Sequence, residues 1–325
     1  MSANDKDVKC AVINNQVIDW DDMNRIWGDL YLGGQRPAYE PKTLKGADIR
    51  TVLTVMDSPI PELLEHEDIV YHFIHAMDHS SQDLLTHFGE AYDIIDGAVT
   101  AGTGVYVHCA AGISRSATIV ISYLMRKLRM TVTAALALVR KWRWIVGPND
   151  GFMRQLDLFE AMDCRLVATD RRLRQYMLEM YVSFNGVQLD QYFERMAAVE
   201  TGTDGLDLGH RYVCTGCGEG LFNEIHVIRN DGSDQYNDRE VCGKVFIEPQ
   251  PWMSELLPEV EVRDLPEELS IKCPQCRRVV AECCTIFSHS TLRLAAFDCD
   301  CGQHMDVKGL MVRMTDNAFN KCSND

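Results

Sequence analysis

The sequence predicts an α/β protein: a layered domain with a largely parallel sheet and helices on both faces, then a small β-rich domain. Three observations predict it. Short apolar runs alternate with helix-period segments through the first half, the pattern of strands feeding helices. At 325 residues the chain exceeds one typical domain and fits two. Beyond about residue 210 the texture changes to short apolar runs, turn residues and paired cysteines.

Residues 49–56 are an apolar run between polar segments, read as a buried strand. Over 83–99, Leu84, Leu85, Phe88, Ala91, Tyr92, Ile94 and Ile95 keep the spacing of one helical face. Val105, Tyr106 and Val107 make the next strand, and 117–128 a further helix. Thr131 can cap another helix through Lys141, because its hydroxyl can accept an orphan N–H of the first turn. The expected divisions are an N-terminal extension over 1–22, the layered domain over 23–164, a helical connector and linker over 165–209, and a cysteine-rich domain over 210–325. In the connector, Leu173, Tyr176, Met177, Met180 and Tyr181 recur at helical spacing, and the Gly- and Asp-rich 201–209 reads as linker.

A hydrophobic fraction of 46% is ample for packed cores, so global disorder is not expected. The first residues lack the basic start and apolar core of a signal peptide, and no apolar stretch approaches membrane-spanning length. Thirteen cysteines without a secretion signal point to metal or thiol chemistry in a reducing compartment, cytoplasm or nucleus. A net charge of −16 argues against broad affinity for nucleic acid or anionic membrane. Basic clusters at Arg126-Lys127-Leu128-Arg129, Arg140-Lys141-Trp142-Arg143 and Arg171-Arg172-Leu173-Arg174 read either as solvated helix faces or as a collar for an anion or a partner.

The strand at Val107 runs into His108-Cys109-Ala110-Ala111-Gly112-Ile113-Ser114-Arg115-Ser116 and then into a helix. A strand, a tight loop and a helix N-terminus form a concavity of backbone N–H groups suited to a phosphate dianion. Cys109 sits at its base, where the helix dipole and Arg115 both favour the thiolate. Arg115 offers a planar fork for two phosphate oxygens, and no bulky side chain between Cys109 and Arg115 blocks the cradle. The backbone of Ala110, Ala111, Gly112, Ile113, Ser114 and Arg115 would hold the phosphate, and Cys109 would attack it to give a cysteinyl phosphate. The leaving alkoxide needs a proton, hence a general acid close to the cradle. Asp78 is the candidate; Asp83 is the competing carboxylate, although its place suits a helix cap. Ser116 would donate a hydrogen bond to the departing thiolate in the second step, and this chemistry needs no metal.

The segment His108–Ser116 resembles the active-site loop of the dual-specificity branch of the protein tyrosine phosphatase superfamily. Asp29-Leu30-Tyr31-Leu32-Gly33-Gly34 with the strand from Ile49 is similar to its opening strands, and Pro148-Asn149-Asp150-Gly151-Phe152 to its closing loop and last helix. The resemblance covers about 140 residues, from Ile26 to Phe159. It implies the layered phosphatase sheet, a general acid near Asp78, and His108 as a buried residue orienting the loop rather than a base. A neutral loop interior lacks the lysines that a polyphosphorylated inositol headgroup would attract. A shallow pocket accepting phosphoserine, phosphothreonine and phosphotyrosine of a phosphoprotein is therefore expected. A phospholipid or phosphoglucan phosphatase is the weaker alternative.

In the tail, Cys214, Cys217, Cys242, Cys273, Cys276, Cys299 and Cys301 occupy paired or isolated ligand positions, expected to hold two structural zinc ions. The expected pairing puts Cys273, Cys276, Cys299 and Cys301 on one ion and Cys214, Cys217 and Cys242 on another, with His226 an open candidate for a fourth ligand. Cys283 and Cys284 read instead as thiols of a core strand. Together with Phe246-Ile247-Glu248-Pro249 and Trp252-Met253, the tail resembles that of the zinc-binding dual-specificity phosphatases linked to large-ribosomal-subunit maturation. That family carries a histidine where this chain has Asn230. The resemblance implies a pre-ribosomal particle or its assembly factors as partners, with the zinc domain carrying that role and catalysis secondary.

Overall fold

A computed structural model describes residues 10–13, 16–19, 23–182, 189–200, 207–228, 245–253, 269–284, 297–298, 304–305, 311–315 and 317–322. The chain divides into two compact units, Met1–Leu166 and Val167–Asp325. A small hairpin, Cys10–Ile13 against Gln16–Asp19, precedes the main sheet of the first unit.

That sheet has five strands: β1 (Met23–Trp27), β2 (Leu30–Gly33), β3 (Ile49–Met56), β4 (Val70–His75) and β5 (Gly104–His108). Their order is β1-β2-β5-β3-β4. β1 and β2 are antiparallel. β2, β5, β3 and β4 run parallel, with Leu32 opposite Val107 and Leu53 opposite both Val107 and His72. Parallel neighbours need crossover connections, and the connecting helices cover both faces of the sheet. On one face α1 (Gln35–Ala38) and α2 (Pro41–Gly46) pack Ala38 and Leu44 against Val52 and Tyr106. On the other lie α3 (Phe88–Thr100) and α4 (Arg115–Leu128), both in contact with β3 and β5.

α4 is the axis of the unit. Every residue from Arg115 through Met125 is buried, because α3, α5 (Val132–Trp142) and α6 (Asp150–Ala161) pack around it and the sheet closes the remaining side. Its N-terminus lies directly after the carboxyl end of β5, where open parallel sheets place their ligand sites. Thr131 caps α5 by accepting from the Ala134 N–H at 3.2 Å. The segment expected to be one helix over 83–99 instead opens with a 3-10 turn, Leu85–His87, before α3. Asp83, whose carboxylate accepts from the backbone N–H and the hydroxyl of Thr86, shapes that turn.

The second unit begins with two helices, α7 (Arg171–Val182) and α8 (Leu189–Glu200). A three-stranded sheet follows, with β6 (Arg211–Cys214) flanked by β7 (Gly220–Asn223) and by Phe319–Lys321. A four-stranded antiparallel sheet joins β8 (Phe246–Ile247), β9 (Leu269–Lys272), β10 (Val279–Cys284) and β11 (Met311–Met314) in the order β8-β11-β10-β9. The helices expected as a connector over 165–209 lie within this compact unit. Arg174 of α7 makes a bidentate ion pair with Glu248, Nε to Oε1 at 2.9 Å and Nη2 to Oε2 at 2.6 Å, and Tyr192 of α8 donates to Oε2 at 3.0 Å. Arg174 and Glu248 are 5% and 4% exposed, so this charge pair joins both helices to the segment after β8 away from water.

Candidate active site

The loop from Cys109 to Arg115 is wrapped so that the carbonyl oxygens of Ala110 through Ser114 each accept from a group outside it. The Ala110 carbonyl accepts from Gln35 N–H at 3.1 Å, that of Ile113 from Gly147 N–H at 3.0 Å, and that of Ser114 from Thr118 N–H at 2.9 Å. Arg143 takes the middle pair, donating from Nη2 to the Ala111 oxygen at 2.9 Å and from Nε to the Gly112 oxygen at 2.8 Å. In a trans peptide the N–H points opposite to the preceding C=O. With no cis peptide in the described chain, the N–H groups of residues 111–115 therefore face the interior of the loop. Cys109 Sγ lies in that interior and accepts from Gly112 N–H at 3.3 Å and from the Ser116 hydroxyl at 3.2 Å. Cys109 is 2% exposed, at the floor of the concavity.

Two glycines are required by this arrangement. Gly112 has φ +64°, and a Cβ there would lie 2.4 Å from the Gly33 backbone at the end of β2. Gly151 abuts the Ser80 carbonyl oxygen so closely that a Cβ would sit 2.0 Å from it. That contact lets α6 approach the loop that carries Asp78.

Arg115, 9% exposed, donates from Nη1 to the Ala76 carbonyl at 3.1 Å, with Asp57 Oδ1 at 4.0 Å from the same nitrogen. Its buried Nε–H has no partner among the described residues, a donor left for an anion's oxygen. Asp78 is exposed and leans over the same loop: its Oδ1 accepts from the Ser114 hydroxyl at 2.7 Å and from Asn149 Nδ2 at 2.9 Å. The competing Asp83 is buried and bonded to Thr86, which removes it from the cradle. Gln155 of α6 holds the acid loop, its Oε1 accepting from Leu84 and Leu85 N–H at 2.8 Å each and its Nε2 donating to the Gln82 carbonyl at 2.7 Å. Gln82 in turn accepts from Met77 N–H at 3.0 Å.

His108 is fully buried, shares a 2.8 Å hydrogen bond with Thr54 Oγ1 through Nε2, and stacks on Tyr106 at 5.5 Å. Burial pushes its imidazole down to about 4, so it is neutral near pH 7. Tyr106 anchors the same face, donating to the Gly34 carbonyl at 2.6 Å. A thiol on the floor, inward N–H groups, a guanidinium with an open donor and an overhanging carboxylate form a site equipped for in-line attack on a phosphate ester.

Sequence reasoning missed Arg143, Asn149 and Gln155 as contributors. Arg143 was one member of a basic cluster open to being a solvated face, yet it is 3% exposed. Its signal was present in its place, immediately after the last turn of α5 and five residues before Pro148-Asn149. Asn149 caps α6 by accepting from Phe152 N–H at 3.0 Å while its amide reaches Asp78. The other two basic clusters also supply internal partners. Lys127 pairs with Asp96 at 2.5 Å, Arg126 lies 3.9 Å over the Tyr92 ring, and Arg174 is the buried partner of Glu248.

The cysteine pairing differs from the expected one. Cys214, Cys217, Cys273 and Cys276 form a single group whose sulfurs all lie within 4.8 Å of one another. Cys273 and Cys276 therefore share their site with Cys214 and Cys217 rather than with Cys299 and Cys301. The last two, with Cys242 and Asn230, lie outside the described residues, as do the side chains of Cys283 and Cys284. The reason is topological: each C-x-x-C turn closes a hairpin, β6–β7 or β9–β10, and the two hairpin ends meet. The turns are alike. Gly218 N–H bonds Cys214 O at 2.9 Å and Arg277 N–H bonds Cys273 O at 3.0 Å, with Gly218 and Arg277 at φ +77° and +60°. His226 is not in the group: its Nδ1 accepts from Asn223 N–H at 3.0 Å, and burial pushes it down to about 3. Sulfurs around a tetrahedral ion at about 2.3 Å stand about 3.8 Å apart. Cys214 to Cys276 is 3.7 Å and Cys217 to Cys273 is 3.6 Å, so the quartet could hold one metal ion.

Residues 30–162 match the dual specificity phosphatase catalytic domain. Dual specificity protein phosphatase 1B of Arabidopsis thaliana is 42% identical over 139 residues, 43% of this chain and 82% of that protein. Dual specificity protein phosphatase 12 of Mus musculus is 30% identical over 266 residues, 76% of each chain. A crystal structure of the Yvh1 phosphatase domain from Chaetomium thermophilum is 32% identical with a TM-score of 0.41, covering 44% of this chain and 98% of that one. On the strength of the two sequence relatives and the cysteine-based site, the chain belongs to the dual specificity protein phosphatases.

Proposed function

We propose that this protein phosphatase hydrolyses phosphotyrosine as well as phosphoserine and phosphothreonine through a cysteinyl-phosphate intermediate. The observation that carries the reading is the outward wrapping of the loop carbonyls around Cys109, which leaves only donors facing a bound phosphate. In the first step the Cys109 thiolate forms the S–P bond as the P–O bond breaks, and the Asp78 proton goes to the leaving oxygen. In the second, water attacks phosphorus, its proton passes to Asp78, and the S–P electron pair returns to sulfur. The Ser116 hydroxyl, 3.2 Å from Sγ, stabilises the returning thiolate. Arg115 and the N–H groups of the loop hold the equatorial oxygens throughout.

The test is hydrolysis of phosphotyrosyl and phosphothreonyl peptides by the intact chain, by Cys109→Ser and by Asp78→Asn. Both substrates should turn over, Cys109→Ser should be inactive, and Asp78→Asn should lose about 100-fold or more. Full activity in Cys109→Ser would sink the mechanism.

A second reading concerns the C-terminal unit. The four-cysteine site is assigned to structural zinc, because a tetrahedral all-sulfur set suits zinc and the sulfur spacings fit it. We assign this unit a binding role on pre-ribosomal particles or their assembly factors, in the cytoplasm and nucleus, with catalysis secondary. Its support is the resemblance of the cysteine pattern and of Phe246-Ile247-Glu248-Pro249 stated above. Recovery of large-subunit precursors with the intact chain and with Cys109→Ser, but not with Cys273→Ser, is the expected outcome. Equal recovery with all three would refute it.

A further inference from the structure

β4 is the last strand of the five-stranded sheet, and among the described residues no strand pairs with its outer side. Exposed edges of this kind are usually blunted by a lysine, a proline or a bulge. β4 has none of these. Val70-Tyr71-His72-Phe73-Ile74-His75 carries no Lys, Arg, Asp, Glu or Pro, and it pairs with β3 without a break in register. Alternate residues of a parallel strand turn their N–H and C=O to the same neighbour. Ala76 N–H bonds the Met56 carbonyl at 2.7 Å, which puts the backbone groups of Ile74 and His72 on the β3 side as well. The N–H and C=O groups of Tyr71, Phe73 and His75 therefore face outward. Val70, Phe73 and His75 are exposed, and the rings of Phe73 and His75 meet edge to face at 6.3 Å.

We propose that this edge receives an extended segment of the phosphoprotein substrate as an added strand, beside the residue whose phosphate enters the cradle. This rests on the phosphatase reading of Cys109 and Arg115. Two observations select the occupant. The first is continuity with the site: β4 runs directly into Ala76, whose carbonyl accepts from Arg115 Nη1 at 3.1 Å, and then into Asp78. An added strand lies about 4.8 Å beyond β4, so about four residues of extended chain can link it to a phosphate held by Arg115. The second is charge. Glu62, Glu65 and Glu67 are exposed just ahead of β4 and make no ion pair among the described residues. The six residues of β4 span about 20 Å, so these carboxylates mark the end of the edge away from the cradle. A substrate segment with alternating apolar residues and a lysine or arginine at that far end matches both the edge and the carboxylates. A second copy of the chain matches less well, because each copy carries a net charge of −16 and the two repel.

The experiment is steady-state hydrolysis by the intact chain, Phe73→Pro and Phe73→Lys. The substrates are a small aryl phosphate, phosphotyrosyl peptides with a tail of alternating valine and threonine ending in lysines, placed before or after the phosphotyrosine, and the same peptides with alternate tail amides N-methylated. Phe73→Pro removes an outward N–H and none of the ladder with β3, and Phe73→Lys puts a charge on the edge. KM for one of the two tailed peptides should rise about five- to tenfold in both variants, the scale of one or two lost hydrogen bonds, with kcat within about twofold. N-methylation should raise KM by a similar factor in the intact chain and add little in Phe73→Pro. The aryl phosphate is too short to reach β4, so its KM should stay within about twofold in both variants. Equal KM for plain and N-methylated peptides in the intact chain would overturn the proposal, as would equal KM for the tailed peptides in the intact chain and both variants. A rise in KM for the aryl phosphate matching that for the peptide would overturn it too, since a deformed site loses both. If Phe73→Pro does not fold, Phe73→Lys decides alone. A dimer of the intact chain in sedimentation that Phe73→Lys dissociates would overturn the proposal in favour of a second copy. Failure of the intact chain to hydrolyse the aryl phosphate would instead overturn the phosphatase reading itself.

Discussion

Arg143 Nε donates to the Gly112 carbonyl at 2.8 Å from the side of the loop away from the nucleophile, and its Nη2 spans to the neighbouring Ala111 carbonyl. One buried guanidinium thus sets the orientation of two consecutive peptide planes, and with them two of the N–H groups that face a bound phosphate. A lysine, a point charge without the planar fork, cannot hold both carbonyls.

Arg143→Lys is therefore expected to lower kcat/KM on the order of 100-fold, the scale of a small misplacement of reacting groups. Vanadate affinity should fall with it. Retained vanadate affinity in a folded Arg143→Lys protein would show that the loop keeps its shape without the fork.

Acid should weaken the catalytic unit. His108 is pushed down to about 4 by burial, against an ordinary value near 6.5. Between these values the unfolded chain takes up a proton that the folded one refuses, so stability is full above about pH 6.5 and declines as pH falls toward 4. The loss is on the order of 2 kcal/mol by pH 5. Urea unfolding at pH 7 and pH 5 measures it, and the His108 ring signals in NMR should not titrate above pH 5. A titration near 6.5 would remove this contribution.

The cysteine quartet makes a non-additivity prediction. Cys214→Ser and Cys273→Ser should each remove the same bound metal ion, and the double variant should lose no more metal than either alone. Elemental analysis of the purified chains reads this directly. A double variant losing twice the metal would mean that the two turns serve different ions.

Glu248→Ala should destabilise the C-terminal unit by about 3–5 kcal/mol, because it leaves the Arg174 charge buried without its carboxylate. Replacing Arg174 and Glu248 together by apolar residues should restore much of that loss. Chemical unfolding followed by helical circular dichroism distinguishes the two outcomes.

The strand-loop-helix around Cys109, the layered sheet and the capped helix after Thr131 were legible because each is local. A strand-loop-helix motif carries its geometry within a few residues, and hydrophobic period reports the element without knowledge of its neighbours. The cysteine pairs were legible as turns for the same reason. Their partners were not, since sequence proximity favoured the later cysteines while hairpin packing brought together residues 56 and 62 positions apart.

What the sequence determined by itself is the motif: a cysteine ahead of a helix N-terminus, an arginine at the start of that helix, and a candidate carboxylate in Asp78. What only tertiary structure decided is who holds these groups in place. Arg143 and Arg174 sit in charge-rich runs like any solvated arginine, and Ser114 and Asn149 look like ordinary loop residues. Contacts with carbonyls, carboxylates and helix ends from distant parts of the chain made Arg143, Ser114 and Asn149 supports of the site, and made Arg174 the buried partner of Glu248. Burial depends on which elements meet, and local spacing does not encode that meeting.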